Sequence, residues 1–232
     1  MRTRKGGAAP VDETGRATQP RWVFAGWKEL LAGAVAGGVA AAVFLLLFPR
    51  GTLSTLAHDI LRLPGPGGGI AIVVGPLLLL AMLVPALGGR RTGIASVAAF
   101  TFALVCFGMV GVLRIGPGPA GGFGSPLFVP AALVPGVVIE LLLPWRSRAG
   151  HPRVWRSVAA SAAANLWLLV FYWLVVFPQT ARWLEWREVP VLAGLALGAG
   201  AAAGYLGFAL AWLVWGRGGR TVDKRDGPQP RQ

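Results

Sequence analysis

Three polar side chains recur at intervals of seven in a stretch that is otherwise strongly apolar. They are Asn165, Tyr172 and Gln179, and Trp173 follows the second of them directly. Because two turns of an α-helix take about seven residues, a helix places all three on one face. A polar face beside aromatic rings suits a flat, partly polar heterocycle, which can stack and form hydrogen bonds at once. Two simpler roles stay open: hydrogen bonding of Asn165 between helices, and an aromatic belt at a membrane surface.

One carboxylate, Glu140, lies inside a long apolar run. An ionisable side chain at that depth is a functional candidate by default, because a charge in hydrocarbon is costly. The alternative is that the carboxylate extends towards Arg146 and Arg148 near the membrane surface. Both interpretations are carried forward.

A second polar pair, His58 and Asp59, lies in the longest loop between apolar runs, residues 49–69. Apolar residues around the pair have the spacing of one helix face: Leu53, Leu56, Ile60 and Leu63. We therefore expect either an amphipathic lid over a binding site, with His58 and Asp59 as site residues, or a linker helix on the membrane surface.

The residue inventory argues against most enzyme chemistry. The sequence has two histidines, His58 and His151, and both lie outside the apolar runs. A bis-His haem site, an intramembrane zinc site and a Ser–His pair therefore lack a ligand or a base. The GxxxxGK[ST] motif of ATP-binding loops is also absent. We expect no enzyme activity, no metal site and no cofactor, and the single cysteine, Cys106, forms no disulfide within the chain.

Six long apolar segments must position these side chains. They are residues 30–48, 70–87, 94–113, 123–144, 158–177 and 189–215. About 20 apolar residues in a helix cross the hydrocarbon core of a bilayer, where the backbone must satisfy its own hydrogen bonds. The mean hydropathy of +0.62 points the same way. The predicted fold class is all-α, a polytopic membrane bundle of six transmembrane helices.

The 22 basic residues set the predicted orientation of the bundle. With the N-terminus inside, 17 of them fall on cytoplasmic segments and 5 on outer loops. The positive-inside rule then places both termini in the cytoplasm and the protein in the cell membrane. The net charge of +13 is explained by this topology and does not indicate nucleic-acid binding. Residues 21–216 form the predicted transmembrane domain, between disordered tails at 1–20 and 217–232.

Small residues four apart mark the first apolar segment. One stripe consists of Ala32, Ala36 and Ala40, and the next of Gly33, Gly37 and Ala41. The last segment repeats the spacing with Gly194 and Gly198 and with Gly200 and Gly204. Small residues at this spacing let another helix approach closely. We expect packing within the fold from the last segment, and a surface that docks another protein on the first.

Two glycine- and proline-rich stretches, PGPGGG at 64–69 and GPGPAGGFG at 116–124, precede the second and fourth segments. Each follows a Leu-Arg pair, ending at Arg62 and Arg114. Neither contains the lysine of an ATP-binding loop, and the predicted topology places both outside the cell. We interpret them as the rim of an outward-facing vestibule, in which proline and glycine shape the helix starts.

Taken together, six spans, internal termini, a long first outer loop, the alanine stripe and the polar–aromatic fifth span resemble a known family. It comprises the substrate-binding (S) components of energy-coupling-factor (ECF) transporters, and the resemblance covers about residues 28–216. It implies a non-catalytic subunit that captures a vitamin or related small nutrient. It also implies a transmembrane coupling subunit docked on Ala32, Ala36 and Ala40, and separate ATPase subunits. Ligand is then expected to enter beneath the 49–69 loop and to contact the fifth helix.

Two other functional classes stay open. One is a structural or assembly factor without a ligand. The other is a small-molecule sensor whose basic tails recruit a cytoplasmic partner. No signature for biotin, riboflavin, thiamine or cobalt fixes the substrate, and the chain begins Met1-Arg2 where a cobalt- or nickel-type component has Met-His.

Overall fold

A computed structural model of the protein describes residues 24–49, 52–63, 67–89, 91–114, 123–143, 154–176 and 185–215. Both predicted tails, Gln179, Arg146 and Arg148 lie outside these residues, as does the side chain of His58. What the sequence predicts for them stays a prediction.

The described chain is built from helices. The α-helices are α1 Trp27–Leu47, α2 Thr52–Ser54, α3 Gly75–Gly89, α4 Ile94–Cys106, α5 Phe128–Leu142, α6 Val154–Phe171 and α7 Val189–Trp215. Four π-helical segments adjoin them: Thr55–Ile60, Ile70–Val74, Phe107–Val112 and Tyr172–Val176. Across the described ranges, β-type pairing is limited to one isolated bridge between Phe24 and Thr92. The all-α fold class is confirmed.

Five helical stretches are long and apolar enough to cross a membrane. They are Trp27–Leu47, Ile70–Gly89, Ile94–Val112, Val154–Leu174 and Val189–Trp215. The apolar helix α5 has 15 residues, about 22 Å at 1.5 Å per residue, which is shorter than a bilayer core. Its helix starts later than the apolar run at 123–144 because residues 123–127 form turns, with the Phe128 amide bonded to the Ser125 carbonyl. The count of six spans therefore stays a prediction.

Two glycines of α1 set its contact with α4. A Cβ at Gly33 would lie 2.7 Å from the carbonyl oxygen of Ile94, and a Cβ at Gly37 would collide with that of Ala98. Only residues without a side chain let the two backbones come this close. The two helices run parallel, because Gly33 contacts Ile94 and the later residue Gly37 contacts the later residue Ala98.

Two glycines of α7 play the same part against α6. A Cβ at Gly200 or at Gly204 would lie 2.6 Å from the carbonyl oxygen of Ser161 or Ser157, respectively. These two helices are antiparallel. The second glycine pair of α7, Gly194 and Gly198, has open space around the Cβ position. The predicted packing within the fold is therefore found for Gly200 and Gly204 and not for Gly194 and Gly198.

The bundle has two chemically different ends. The starts of α1, α4 and α6 and the ends of α3, α5 and α7 lie together, and there the described cations include Lys28, Arg91 and Arg156. We call this the basic end. The other end, which holds the four π-helical segments and the turn before α3, we call the loop end. Towards the loop end the core contains packed phenylalanine rings, with centroids 5.1 Å apart for Phe44 and Phe123.

Candidate functional site

Asn165 of α6 lies where three helical elements meet. Its side chain is fully buried. Its Nδ2 donates to the carbonyl oxygens of Ala71, at 2.8 Å, and Ala196, at 2.7 Å. Its Oδ1 lies against Gly75, where a Cβ would collide with it, and accepts no hydrogen bond from the described residues. Asn165 therefore ties α6 to α7 and to the π-helical segment Ile70–Val74 before α3, and its Oδ1 is a buried acceptor without a donor among the described residues.

The Ala71 carbonyl needs this donor because of its own helix. In the π-helical segment before α3, the amide of Gly75 donates to the Ile70 carbonyl. The amide that the same pattern would direct at Ala71 belongs to Pro76, which has no N–H. The Asn165 side chain takes its place. Leaving a buried carbonyl without a partner would cost about 1–3 kcal/mol.

The aromatic pair Tyr172 and Trp173 lies about two turns from Asn165 towards the loop end, and both side chains are half-buried. The turn before α3 packs on them. A Cβ at Gly67 would lie 3.2 Å from Tyr172 Cδ1 and 3.4 Å from Trp173 Nε1. Gly67 has a φ of +102°, which favours glycine. The structure thus brings the sequence-predicted rim onto the sequence-predicted aromatic pair.

A small apolar cluster links this pair to Asn165. Its buried members are Ala71, Leu169, Leu192 and Ala196, and Trp173 packs against them. We call the assembly the loop-end junction: Gly67, Ala71, Asn165, Leu169, Tyr172, Trp173, Leu192 and Ala196. Since Asn165 is fully buried, the junction is closed in this structure.

π-Helical segments form part of the junction. Ala71 lies in Ile70–Val74, and Tyr172 begins Tyr172–Val176. Such segments are uncommon and occur frequently at functional sites. Gln179, the third member of the series spaced by seven, lies outside the described residues, so its place on this face stays a prediction.

The first loop is helical between Thr52 and Ile60, as its spacing predicts, and Leu53, Leu56 and Leu63 of the predicted face are partly buried, but Ile60 is not. Ala57 is buried, whereas Ile60 is 66% exposed, because π-helical winding shifts the phase of the face. This helix sits on the turn before α3, since a Cβ at Gly69 would lie 3.6 Å from the Ala57 Cβ. Asp59 is exposed and is not among the residues of the junction.

The repeated Leu-Arg motif has a structural counterpart at the loop end. Arg62 and Arg114 follow π-helical segments and adopt left-handed backbone conformations, with φ of 49° and 56°. Such a conformation costs a residue other than glycine about 1–2 kcal/mol. Both positions therefore have the same left-handed backbone conformation just after a π-helical segment.

Glu140 lies near the basic end and caps a neighbouring helix. Its Oε1 accepts the backbone N–H groups of Gly93, at 2.9 Å, and Ser96, at 3.0 Å. These amides begin α4 and have no partner within that helix. Gly93, the N-cap residue, has no side chain to serve them, and a carboxylate at a helix N-terminus is also favoured by the helix dipole. Glu140 is only 7% exposed. The two hydrogen bonds from Gly93 and Ser96 account for the burial of its carboxylate.

The alanine stripe of α1 faces an open groove, separate from the glycine stripe that packs on α4. Ala32, Ala36 and Ala40 line it on one side and α3 on the other, with a cavity volume of about 710 Å³. Ala32 is exposed, Ala36 half-buried and Ala40 buried. The predicted docking residues thus share one concave surface.

Sequence reasoning did not identify Ala71, Gly75 or Ala196 as partners of Asn165. The Gly75-Pro76 pair inside an apolar run was the available signal, because a proline in a helix leaves a carbonyl without its donor. The donor comes from Asn165, 94 residues away. It is set by how α6 packs, so the sequence around Gly75 and Pro76 does not predict it.

The fold is similar to that of a solved transporter subunit. The chain matches a crystal structure of an S-component of an ECF transporter with a TM-score of 0.59 and 20% sequence identity, over 84% of this chain and 87% of that one. No protein-family model and no curated protein sequence matches the chain. The resemblance inferred from the sequence is therefore confirmed at the level of the fold.

Proposed function

We propose that the protein is a substrate-binding S component of an ECF-type importer, which captures a vitamin or related small nutrient without catalysing a reaction. The observation that carries this proposal is the shared fold over 84% of the chain. The proposed substrate site is the loop-end junction, and the proposed location is the plasma membrane with both termini in the cytoplasm.

The junction suits a ligand that enters from the loop end. Asn165 forms its floor, with Oδ1 available as a buried acceptor. Tyr172 and Trp173 form one wall, and the turn at Gly67 covers them. For a ligand to reach Oδ1, this turn and the helix seated on it, which carries His58 and Asp59, have to move away from α6 together with the backbone between Ala71 and Gly75.

The side chains favour a flat heterocycle that carries an N–H donor. Aromatic rings stack on such a molecule, and the Asn165 carbonyl accepts its hydrogen bond. No described side chain of the junction is charged, so recognition of the ring by stacking and hydrogen bonding is expected to outweigh ion pairing.

A thermal-shift screen of the purified protein against water-soluble vitamins and their precursors tests the proposal. We expect one compound to raise the unfolding temperature of the wild type. Trp173→Ala should weaken binding of that compound at least tenfold, since an aromatic contact and its buried area are lost. Trp167→Ala on the same helix, where the indole is partly exposed, is the matched control and should bind normally. A screen without any stabilising compound supports an assembly factor instead.

The coupling subunit is proposed to dock on the groove beside Ala32, Ala36 and Ala40. Small side chains there allow a transmembrane helix to approach the α1 backbone. The ATPase subunits are expected to join through that coupling subunit, because the chain has no ATP-binding motif.

Co-expression with an ECF coupling and ATPase module tests this partner. Ala36→Phe fills the groove and should abolish co-purification of the module. Ala202→Phe, on an exposed position of α7, should leave it intact. Co-purification that survives Ala36→Phe would remove the groove from the proposal. Loss of function on deleting residues 1–20 or 218–232, with no module bound, would favour the sensor class.

A further inference from the structure

The groove between α1 and α3 is polar at one end, and the alanine stripe alone does not explain this. Among its lining residues, Lys28 is the only one with a charged side chain, and the others are apolar except for the indole N–H of Trp215. Both residues lie at the basic end. The groove therefore has one cation at the basic end, which we call its mouth, and an apolar lining over the rest of its length.

Lys28 has no carboxylate partner among the described residues. The acid next to it, Glu29, pairs with Arg91, with Arg91 Nε 3.3 Å from Glu29 Oε1. The ammonium group lies 5.8 Å from the ring centroid of Trp27, and indole rings are enriched at membrane surfaces. The charge at the groove mouth therefore lies near an indole ring and is not neutralised by the acid next to it in the sequence.

Trp215 closes the other side of this mouth. Its indole lies against Gly88 near the end of α3, where a Cβ would collide with Nε1. From Lys28 to Val43 the groove follows 15 residues of α1, or about 22 Å. One leaflet of a bilayer core is about 15 Å thick, so an acyl chain starting at Lys28 would pass Ala32 and Ala36 before reaching the midplane.

We infer that, in the protein without bound partners, this groove holds one anionic phospholipid from the leaflet at the basic end. The headgroup phosphate contacts Lys28 and the indole N–H of Trp215. One acyl chain lies over the alanine stripe, against α3. The groove thereby serves as a specific lipid site, and this inference does not depend on the substrate or on the transporter assignment.

Native mass spectrometry of the full chain, delipidated in detergent and then given equal amounts of phosphatidylglycerol and phosphatidylcholine, tests the inference. The wild type should retain one phosphatidylglycerol in preference to phosphatidylcholine. Lys28→Gln should reduce that preference about fivefold, the effect of one cation near a membrane surface, and Lys28→Arg should restore it. Arg156→Gln, which removes another cation of the basic end, should leave the preference unchanged.

A second pair of variants tests the acyl-chain part of the site. Ala36→Phe should abolish lipid retention by filling the groove, whereas Ala202→Phe on α7 should retain it. Equal losses from Lys28→Gln and Arg156→Gln would overturn the inference, because they would indicate attraction by overall charge. The inference would also be overturned if Ala36→Phe still retained the lipid. The same holds if two copies of the chain formed a dimer without lipid and Ala36→Phe abolished that dimer.

Discussion

At the scale of single residues, two buried polar side chains of the described chain, Asn165 and Glu140, form hydrogen bonds with backbone atoms of neighbouring elements. Asn165 serves carbonyls of two elements, and Glu140 serves amides of a third. The sequence predicts that both side chains need partners, because an isolated polar group in hydrocarbon is costly. It does not predict which atoms they find, since those partners are 31 to 94 residues away.

The cap on α4 gives a direct test at this scale. Glu140→Leu should lower the free energy of unfolding by about 1–3 kcal/mol, because the amides of Gly93 and Ser96 lose their acceptor in a buried place. Glu140→Gln keeps one amide oxygen and should lose less. Thermal unfolding in detergent, followed by tryptophan fluorescence, measures the order. Glu185→Gln at an exposed position is the control, and a Glu140→Leu variant as stable as that control would show that the cap is unimportant.

At the scale of elements, glycine spacing predicted close helix contacts but not which stripe faces which neighbour. Helix α1 carries two adjacent small-residue stripes, and only contacts with α4 and α3 distinguish their roles. The same holds for α7, where one glycine pair packs and the other faces open space. The π-helical segments were not predicted either, because nothing in the spacing of apolar residues distinguishes them from α-helix at their short length.

Neighbouring glycines of α1 separate these roles experimentally. Gly37→Ala should destabilise the protein by about 1–3 kcal/mol, since the new methyl group meets the Ala98 carbonyl and overpacks the contact. Gly38→Ala should be neutral or stabilising, because its Cβ would meet only Thr101 Cγ2 at 3.8 Å and alanine favours helix. For a chain of this size, 1 kcal/mol corresponds to a shift of about 2–4 °C in the unfolding temperature. Equal shifts for both variants would contradict the assigned α1–α4 interface.

At the scale of the whole molecule, orientation in the membrane rests on the charge distribution. The sole cysteine, Cys106, is fully buried, so a Cys106→Ala background accepts reporter cysteines at chosen ends. In intact cells, a membrane-impermeant maleimide should label Glu185→Cys at the loop end and should label Phe24→Cys only after permeabilisation. The reverse pattern would place the loop end, and with it the proposed substrate site, in the cytoplasm.

The central claim is that the loop-end junction holds a small molecule. Native mass spectrometry of protein purified directly from its membrane tests this most directly, since it weighs whatever the closed junction retains. We predict one small ligand of constant mass on the wild type and on Trp167→Ala, and its loss from Trp173→Ala. Folding of each variant is checked by its thermal transition. A ligand that stays on folded Trp173→Ala, or a wild type that carries none and acquires none from added vitamins, would contradict the account.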